Sequence, residues 1–83
     1  MNYVELTEFL VSSIIENKDM LTVKEFDGLE DDSILLNVFV DTNDIGAVIG
    51  KQGKTANAIR TLVRASMHGD YKRIKIEFQS YDD

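Results

Sequence analysis

The sequence predicts an α+β fold in which a three-stranded mixed β-sheet is covered on one face by three α-helices. Apolar residues recur with a period near 3.6, typical of amphipathic helices, in residues 3–16 and 54–67. They alternate with a period of two, typical of strands, in residues 33–41 and 73–78. A chain of 83 residues builds one hydrophobic core, so we expect a single domain over residues 1–83.

The first two elements are a helix over residues 3–16 and a strand over residues 20–26. Early glutamates in the helix suit the positive end of its dipole. Polar residues 17–19 end the helical pattern, and Leu21 and Val23 then alternate with polar side chains. An acidic turn follows this strand.

Residues 33–41 carry the clearest strand pattern in the chain. Both faces of this strand are apolar, with Ile34, Leu36, Val38 and Val40 on one side and Leu35 and Phe39 on the other. A strand that is apolar on both faces usually lies inside its sheet. We therefore expect it to be the central strand.

Two helices joined by a tight loop are predicted next. Residues 42–44 are good capping residues for a short helix over residues 44–49. The loop, residues 50–53 and here called the glycine loop, leads into the helix over residues 54–67, which Gly69 and Asp70 end.

A third strand over residues 73–78 completes the order helix, strand, strand, helix, helix, strand. The first two strands form an antiparallel hairpin, and a right-handed helical crossover makes the second and third parallel. We place the folded core at residues 3–79 and a short acidic tail at residues 80–83.

The composition excludes several kinds of protein. The chain has no cysteine and one histidine, which rules out disulfides, thiolate zinc sites and paired-imidazole chemistry. No nucleophile stands beside a base, and no pair of carboxylates falls in an apolar pattern. We expect no enzymatic activity, no metal and no cofactor.

The N-terminus lacks the layout of a signal peptide, and no apolar run reaches the about 18 residues that a membrane span needs. We therefore expect a cytoplasmic protein.

The net charge of −6 argues at first against a nucleic-acid partner, but the charge is unevenly distributed. Residues 1–44 carry two basic and eleven acidic side chains, a net charge of −9. Residues 45–81 carry seven basic and two acidic side chains, a net charge of +5. A chain polarised in this way can present one basic surface while the whole molecule remains acidic.

The glycine loop, Gly50-Lys51-Gln52-Gly53, is the strongest candidate for a binding site. Two glycines without Cβ atoms let a phosphate approach the main chain, and the start of the next helix favours an anion at the same place. Lys51 and Lys54 add positive charge. The alternative is structural: Gly50 ends one helix and Gly53 relieves a tight turn. That alternative leaves the two lysines unexplained.

Residues 44–60, with the glycine loop as a GXXG motif, resemble the core of a KH domain. The order of elements resembles the type II, bacterial arrangement over essentially the whole chain. A free-standing KH domain of this size is similar to the small bacterial KH RNA-binding family known as KhpA. The resemblance implies a protein that binds single-stranded RNA, as an RNA chaperone or post-transcriptional regulator.

The resemblance also implies the site residues. The glycine loop would clamp the backbone of about four nucleotides, and bases would enter an adjacent apolar groove lined by Ile45, Val48 and Ile49 with Val40 or its neighbours. Gln52 stands where a lysine or arginine would add a second loop charge, which bears on affinity. The residues expected to bind RNA are Ile45, Val48, Ile49, Gly50, Lys51, Gln52, Gly53, Lys54, Thr55, Asn57, Arg60 and Arg64.

The two flanks of the last helix suggest different roles. Asn57, Arg60 and Arg64 form a basic ridge that extends the phosphate track, or else a plain solvated face. On the other flank are Ala58, Leu62 and Ala65, where small residues around a leucine permit close approach of a second helix. This strip is a candidate dimer interface, unless the first helix covers it.

The resemblance implies that the protein associates with other KH-domain proteins. It would form a homodimer, a heterodimer with a KH-containing Jag-type (KhpB-like) protein, or both. The alternative function is therefore a KH-fold module for protein–protein assembly that acts through the face around Leu62.

Overall fold

The structure, a computed structural model, describes residues 1–67 and 73–81 and has the predicted order of elements. The helices are α1 (Tyr3–Ser12), α2 (Thr42–Ile49) and α3 (Lys54–Ser66). The strands are β1 (Thr22–Asp27), β2 (Ser33–Val40) and β3 (Arg73–Ser80). Short 3₁₀ turns occupy Lys18–Met20 and Lys51–Gly53.

The sheet has the order β1-β2-β3, so β2 is the central strand, as its two apolar faces predict. β1 pairs antiparallel with β2, with Val23 opposite Val38. β3 pairs parallel with β2, with Ile76 beside Leu36. The antiparallel hairpin and the parallel crossover are both confirmed, and the sheet is mixed.

The core lies between one face of the sheet and the helices. Alternate residues of β2 are buried, and they pack with Val11 of α1, Val48 of α2, and Ile59 and Val63 of α3. Each fully buried side chain of this size contributes about 1.5–3 kcal/mol relative to an exposed one. All three helices are therefore held by the same apolar cluster, which fixes their relative positions.

α1 ends at Ser12, four residues before the predicted end. The Ser13 amide still donates to Phe9, and the Ile14 amide donates three residues back to Val11, which tightens the last turn. The amides of Glu16 and Asn17 then donate to a side chain elsewhere in the fold instead of to helix carbonyls. The helical pattern of apolar residues continues past the point where the backbone hydrogen bonds change partner.

That side chain is Asp44, and its role differs from the predicted one. The residue that caps α2 is Asp41, whose carboxylate accepts a hydrogen bond from the Asn43 amide. Asp44 is 4% exposed, and its two oxygens accept from the amides of Glu16 at 3.0 Å and Asn17 at 2.9 Å. A buried carboxylate needs such donors. These two hydrogen bonds join the start of α2 to the segment that follows α1.

The C-terminal boundary also differs from the prediction. β3 continues to Ser80, which is buried, so Ser80 belongs to the folded core and not to an acidic tail. Asp82 and Asp83 lie outside the described residues, as do Gly69 and Asp70, which were predicted to end α3.

No helix within the described ranges is long and apolar enough to cross a membrane. Within the same ranges, no three acidic or histidine side chains are grouped as metal ligands.

Candidate nucleic-acid interface

Gly50 occupies a backbone conformation that only glycine adopts easily, with φ 76° and ψ 173°. A Cβ atom at this position would lie 2.7 Å from the Cβ of Thr55 and 2.8 Å from its backbone nitrogen, and would also collide with its Oγ1. Thr55 therefore packs directly against the main chain of Gly50. This contact brings the end of α2 next to the first turn of α3.

The next residues reverse the chain within one turn. Gln52 has φ 57° and ψ 27°, and Gly53 has φ 77° and ψ 10°, so two left-handed residues follow each other. Gly53 differs from Gly50 in its surroundings, because a Cβ there would meet only the side-chain nitrogen of Asn57, Nδ2, at 3.9 Å. The space beside Gly53 is open to a ligand, whereas the space beside Gly50 is filled.

The backbone amides of the loop are only partly used within the protein. Gly50 donates to Gly46 and Gly53 donates to Gly50, which closes the turn. Gly53 is also the N-cap of α3, and having no side chain it supplies no capping acceptor. The first amides of a helix lack intrahelical acceptors. The Lys54 amide donates to the Lys51 carbonyl, and the amides that follow it at the start of α3 can donate to an anion.

The positive charges of the loop are exposed. Lys51 and Lys54 both have exposed side chains, and so does Arg64, near the other end of α3. Within residues 1–67 and 73–81, the ion pair joins Arg73 to Glu30 and involves none of these three. Their charges are available at the surface next to the glycine loop.

The apolar side chains beside the loop fall into two groups. Ile45 and Ile49 are half-buried and reach the surface. Val48 and Val40 are 0% exposed and belong to the core, because α2 uses that side to pack on the sheet. The expectation that Val48 and Val40 line an open groove is thus wrong in this structure. A surface for bases beside the loop has to be built from Ile45 and Ile49.

Arg60 is held more firmly than a solvated residue. Its Nε donates to the Ile76 carbonyl at 3.1 Å, and its Nη1 donates to the Asn57 Oδ1 at 2.9 Å. Its guanidinium also lies over the ring of Phe78, 5.2 Å from the ring centre, at a distance typical of cation–π contacts. The basic ridge therefore contains one arginine that fastens α3 to β3. The helical wheel could not reveal this contact, because its acceptor and its ring lie on a strand.

The opposite flank of α3 is uncovered. Ala58 and Ala65 are exposed, and Leu62 between them is 52% exposed. α1 buries Thr7 and Val11 in the fold without covering this strip. The alternative in which the first helix covers the strip is wrong.

The comparisons with known proteins agree on one family. The family model described as KhpA/KhpB, KH domain, matches residues 4–78. An RNA-binding protein KhpA of Caldanaerobacter subterraneus subsp. tengcongensis is 40% identical over 73 residues, which is 88% of this chain and 95% of that protein. An RNA-binding protein KhpA of Borreliella burgdorferi is 34% identical over 76 residues, which is 92% of this chain and 90% of that protein.

Solved structures add agreement on the fold. A crystal structure of Era with MgGDPNP and part of 16S ribosomal RNA matches 94% of this chain with a TM-score of 0.64 and 16% identity. Aquifex aeolicus Era bound to GDP and aluminium fluoride matches the same share with a TM-score of 0.70 and 16% identity. This chain covers 29% and 30% of the two Era chains. The likeness supports the type II KH arrangement predicted from the order of elements.

The two loop glycines are predicted to respond differently to alanine. Gly53→Ala costs only the left-handed backbone penalty, about 1–2 kcal/mol of unfolding free energy. Gly50→Ala adds a steric clash with Thr55 to its backbone penalty, so it costs at least about 2 kcal/mol more than Gly53→Ala. Urea unfolding followed by circular dichroism measures both values.

Gly46→Ala is the control. Gly46 lies in α2 with nothing within 4 Å of its Cβ position, so this substitution leaves the free energy of unfolding the same or higher. Equal losses at Gly50 and Gly53 would contradict the packing described.

Proposed function

The chain belongs to the KhpA/KhpB family of KH-domain proteins, and on that premise we propose that it binds single-stranded RNA through the glycine loop. The observation that carries the proposal is the loop itself: a left-handed turn, open beside Gly53, between two exposed lysines. Relatives from two organisms, 40% and 34% identical, bear the name RNA-binding protein.

Phosphates are the first group that the loop recognises. Amides at the start of α3 donate to phosphate oxygens, and the helix dipole favours negative charge there. Lys51 and Lys54 neutralise neighbouring phosphates from the two sides of the turn. Arg64 continues the positive charge along α3, and the remaining donors of Arg60 serve the same track. Asn57 and Thr55 complete the polar rim of this surface.

Bases bind beside the loop on the half-buried Ile45 and Ile49. Their aliphatic side chains give apolar contact to a base face without reading its identity. KH domains contact about four nucleotides in this manner. A contact of this size supports modest affinity and broad selection of sequences.

Modest affinity for short single-stranded segments suits an RNA chaperone or a post-transcriptional regulator acting in the cytoplasm. Such a protein binds transiently to many transcripts. The proposed activity is binding alone, with no chemical step and no cofactor.

The loop is tested by replacing its two variable residues. Lys51→Asp/Gln52→Asp places negative charge where phosphates bind, and we expect affinity for a single-stranded RNA pool to fall about tenfold or more, since a hydrogen bond to a charged group is worth about 1.5–3 kcal/mol. Both side chains are exposed, so the far-ultraviolet circular dichroism spectrum stays unchanged. Fluorescence anisotropy measures the binding.

A matched control separates the loop from overall charge. Like the loop variant, Lys18→Asp/Met20→Asp replaces one lysine and one neutral residue by aspartate, so the net charge falls by the same amount. Both positions are exposed and lie in the 3₁₀ turn before β1. This control should bind RNA like the wild type. Undiminished binding by the folded loop variant would refute the proposal.

A second function, protein association through α3, is favoured by the exposed strip around Leu62. A leucine 52% exposed between two exposed alanines can pack closely against the same strip of a second copy. A symmetric dimer of this kind would present two glycine loops, and two linked contacts raise the apparent affinity for one RNA strand. A KhpB-like protein with a similar surface is the alternative partner.

This association is tested by solution mass. Leu62→Asp buries a charge in the proposed interface, so a dimer of the wild type should become a monomer in light-scattering measurements. Asn57→Asp adds the same charge on the opposite flank and should leave the mass unchanged. A wild type that is already monomeric, or a Leu62→Asp variant that remains dimeric, would rule out this interface.

A further inference from the structure

The face of the sheet opposite the helices carries a distinct set of side chains. We call it the open face. It consists of the residues of β2 that alternate with its buried ones, together with their partners in the pairing register on β1 and β3. It comprises Thr22, Lys24 and Phe26 of β1, Ser33, Leu35, Asn37 and Phe39 of β2, and Arg73, Lys75, Glu77 and Gln79 of β3. Every one of them is exposed or half-buried.

Two aromatic rings are exposed on or beside this face. Phe26 is 47% exposed and lies opposite Leu35 in the register. Tyr81, directly after β3, is 46% exposed even though it has two contacts: its ring lies 5.6 Å from that of Phe39, and its hydroxyl donates to Thr22 Oγ1 at 2.7 Å. A ring that is fixed in place and still half exposed can stack on a base with little loss of side-chain freedom.

The charge of the open face is opposite to that of the whole protein. Its strand residues include Lys24, Arg73 and Lys75 but a single acid, Glu77, in a chain whose net charge is −6. Arg73 is paired with Glu30 at 2.7 Å. Lys24 and Lys75 are exposed and take no part in that pair. The face is complementary to a polyanion.

The middle of the open face is polar, which distinguishes it from a surface made for a protein. Lys24, Asn37 and Glu77 form one row across the three strands, and Gln79 donates to Asn37 at 3.4 Å. A flat apolar partner would bury this row without compensation. A single RNA strand instead supplies phosphates for the lysines and base edges for the amides.

A cavity of about 420 Å³ adjoins the open face at the β1–β2 turn. Leu29 and Leu35 give it apolar walls, and its charged lining comprises Asp27, Glu30 and Glu77 with Arg73 and Lys75. Its size falls within the range of about 300–1,000 Å³ usual for small-ligand pockets, so it can admit one base.

We propose that the open face is a second contact surface for single-stranded RNA, in which Phe26 and Tyr81 stack bases and Lys24 and Lys75 bind phosphates. Tyr81 is anchored at Thr22, four residues from Phe26 along β1, which corresponds to about 13 Å. The two rings therefore contact bases that are not adjacent in one strand. This surface adds to the glycine loop and does not depend on it.

Crosslinking tests the contact directly. A 12-nucleotide oligouridylate containing 4-thiouridine is irradiated with the wild type and with Lys51→Asp/Gln52→Asp, and the attached peptides are identified by mass spectrometry. We expect crosslinks in β1 and at Tyr81 in both proteins. Crosslinks on the open face with an inactive glycine loop would separate this inference from the proposed function, and the absence of such crosslinks from both proteins would overturn it.

Affinity for the same oligonucleotide gives a second readout. Phe26→Ala/Tyr81→Ala should weaken binding at least about fivefold, since stacking of even one base is worth about 1–3 kcal/mol. Lys24→Glu/Lys75→Glu should weaken it as well, and keeps the proposal testable if the aromatic variant unfolds. Phe9→Ala, which removes an exposed ring from α1, is the control and should bind like the wild type.

Two results would contradict the proposal. Unchanged affinity in a folded aromatic variant and in the charge variant would show that RNA does not use the open face. A change of oligomeric mass without a change of RNA affinity would assign the face to a protein partner instead.

Discussion

The contact between Gly50 and Thr55 is the constraint on which the candidate site depends. Without a Cβ atom, Gly50 lets Thr55 pack directly on its main chain, and α2 and α3 are joined by the four residues of the glycine loop. Val48 on one side and Ile59 on the other lie in the same core, so neither helix can move away. The loop between them therefore keeps its left-handed turn, and its lysines are presented together with the start of α3.

The rest of the fold explains how an acidic protein can have a basic site. Eleven of the fifteen acids lie in the first 44 residues, and Asp44 among them is used internally as an acceptor for two backbone amides. Arg60 is used in a similar way, as a clamp between α3 and β3. The charges that remain exposed around the glycine loop are few, which favours local contact with RNA over indiscriminate binding of polyanions.

Periodicity was sufficient to predict the order of elements, the central strand and the position of the loop, because these depend on contacts near in sequence or on one apolar face. It was insufficient for features that depend on distant partners. Asp44 binds amides 27 and 28 residues away, and Arg60 finds its acceptor 16 residues away on a strand. Likewise, the resemblance to KH domains placed Val48 in a groove for bases, whereas the packed structure places it in the core, at 0% exposure.

The central claim is that RNA is bound at the glycine loop, and amide chemical shifts of ¹⁵N-labelled protein during titration with a six-nucleotide oligouridylate test it most directly. The account predicts that the largest shift changes fall in residues 50–55, with smaller ones at Ile45 and Ile49. Saturable binding that leaves residues 50–55 unshifted would contradict it.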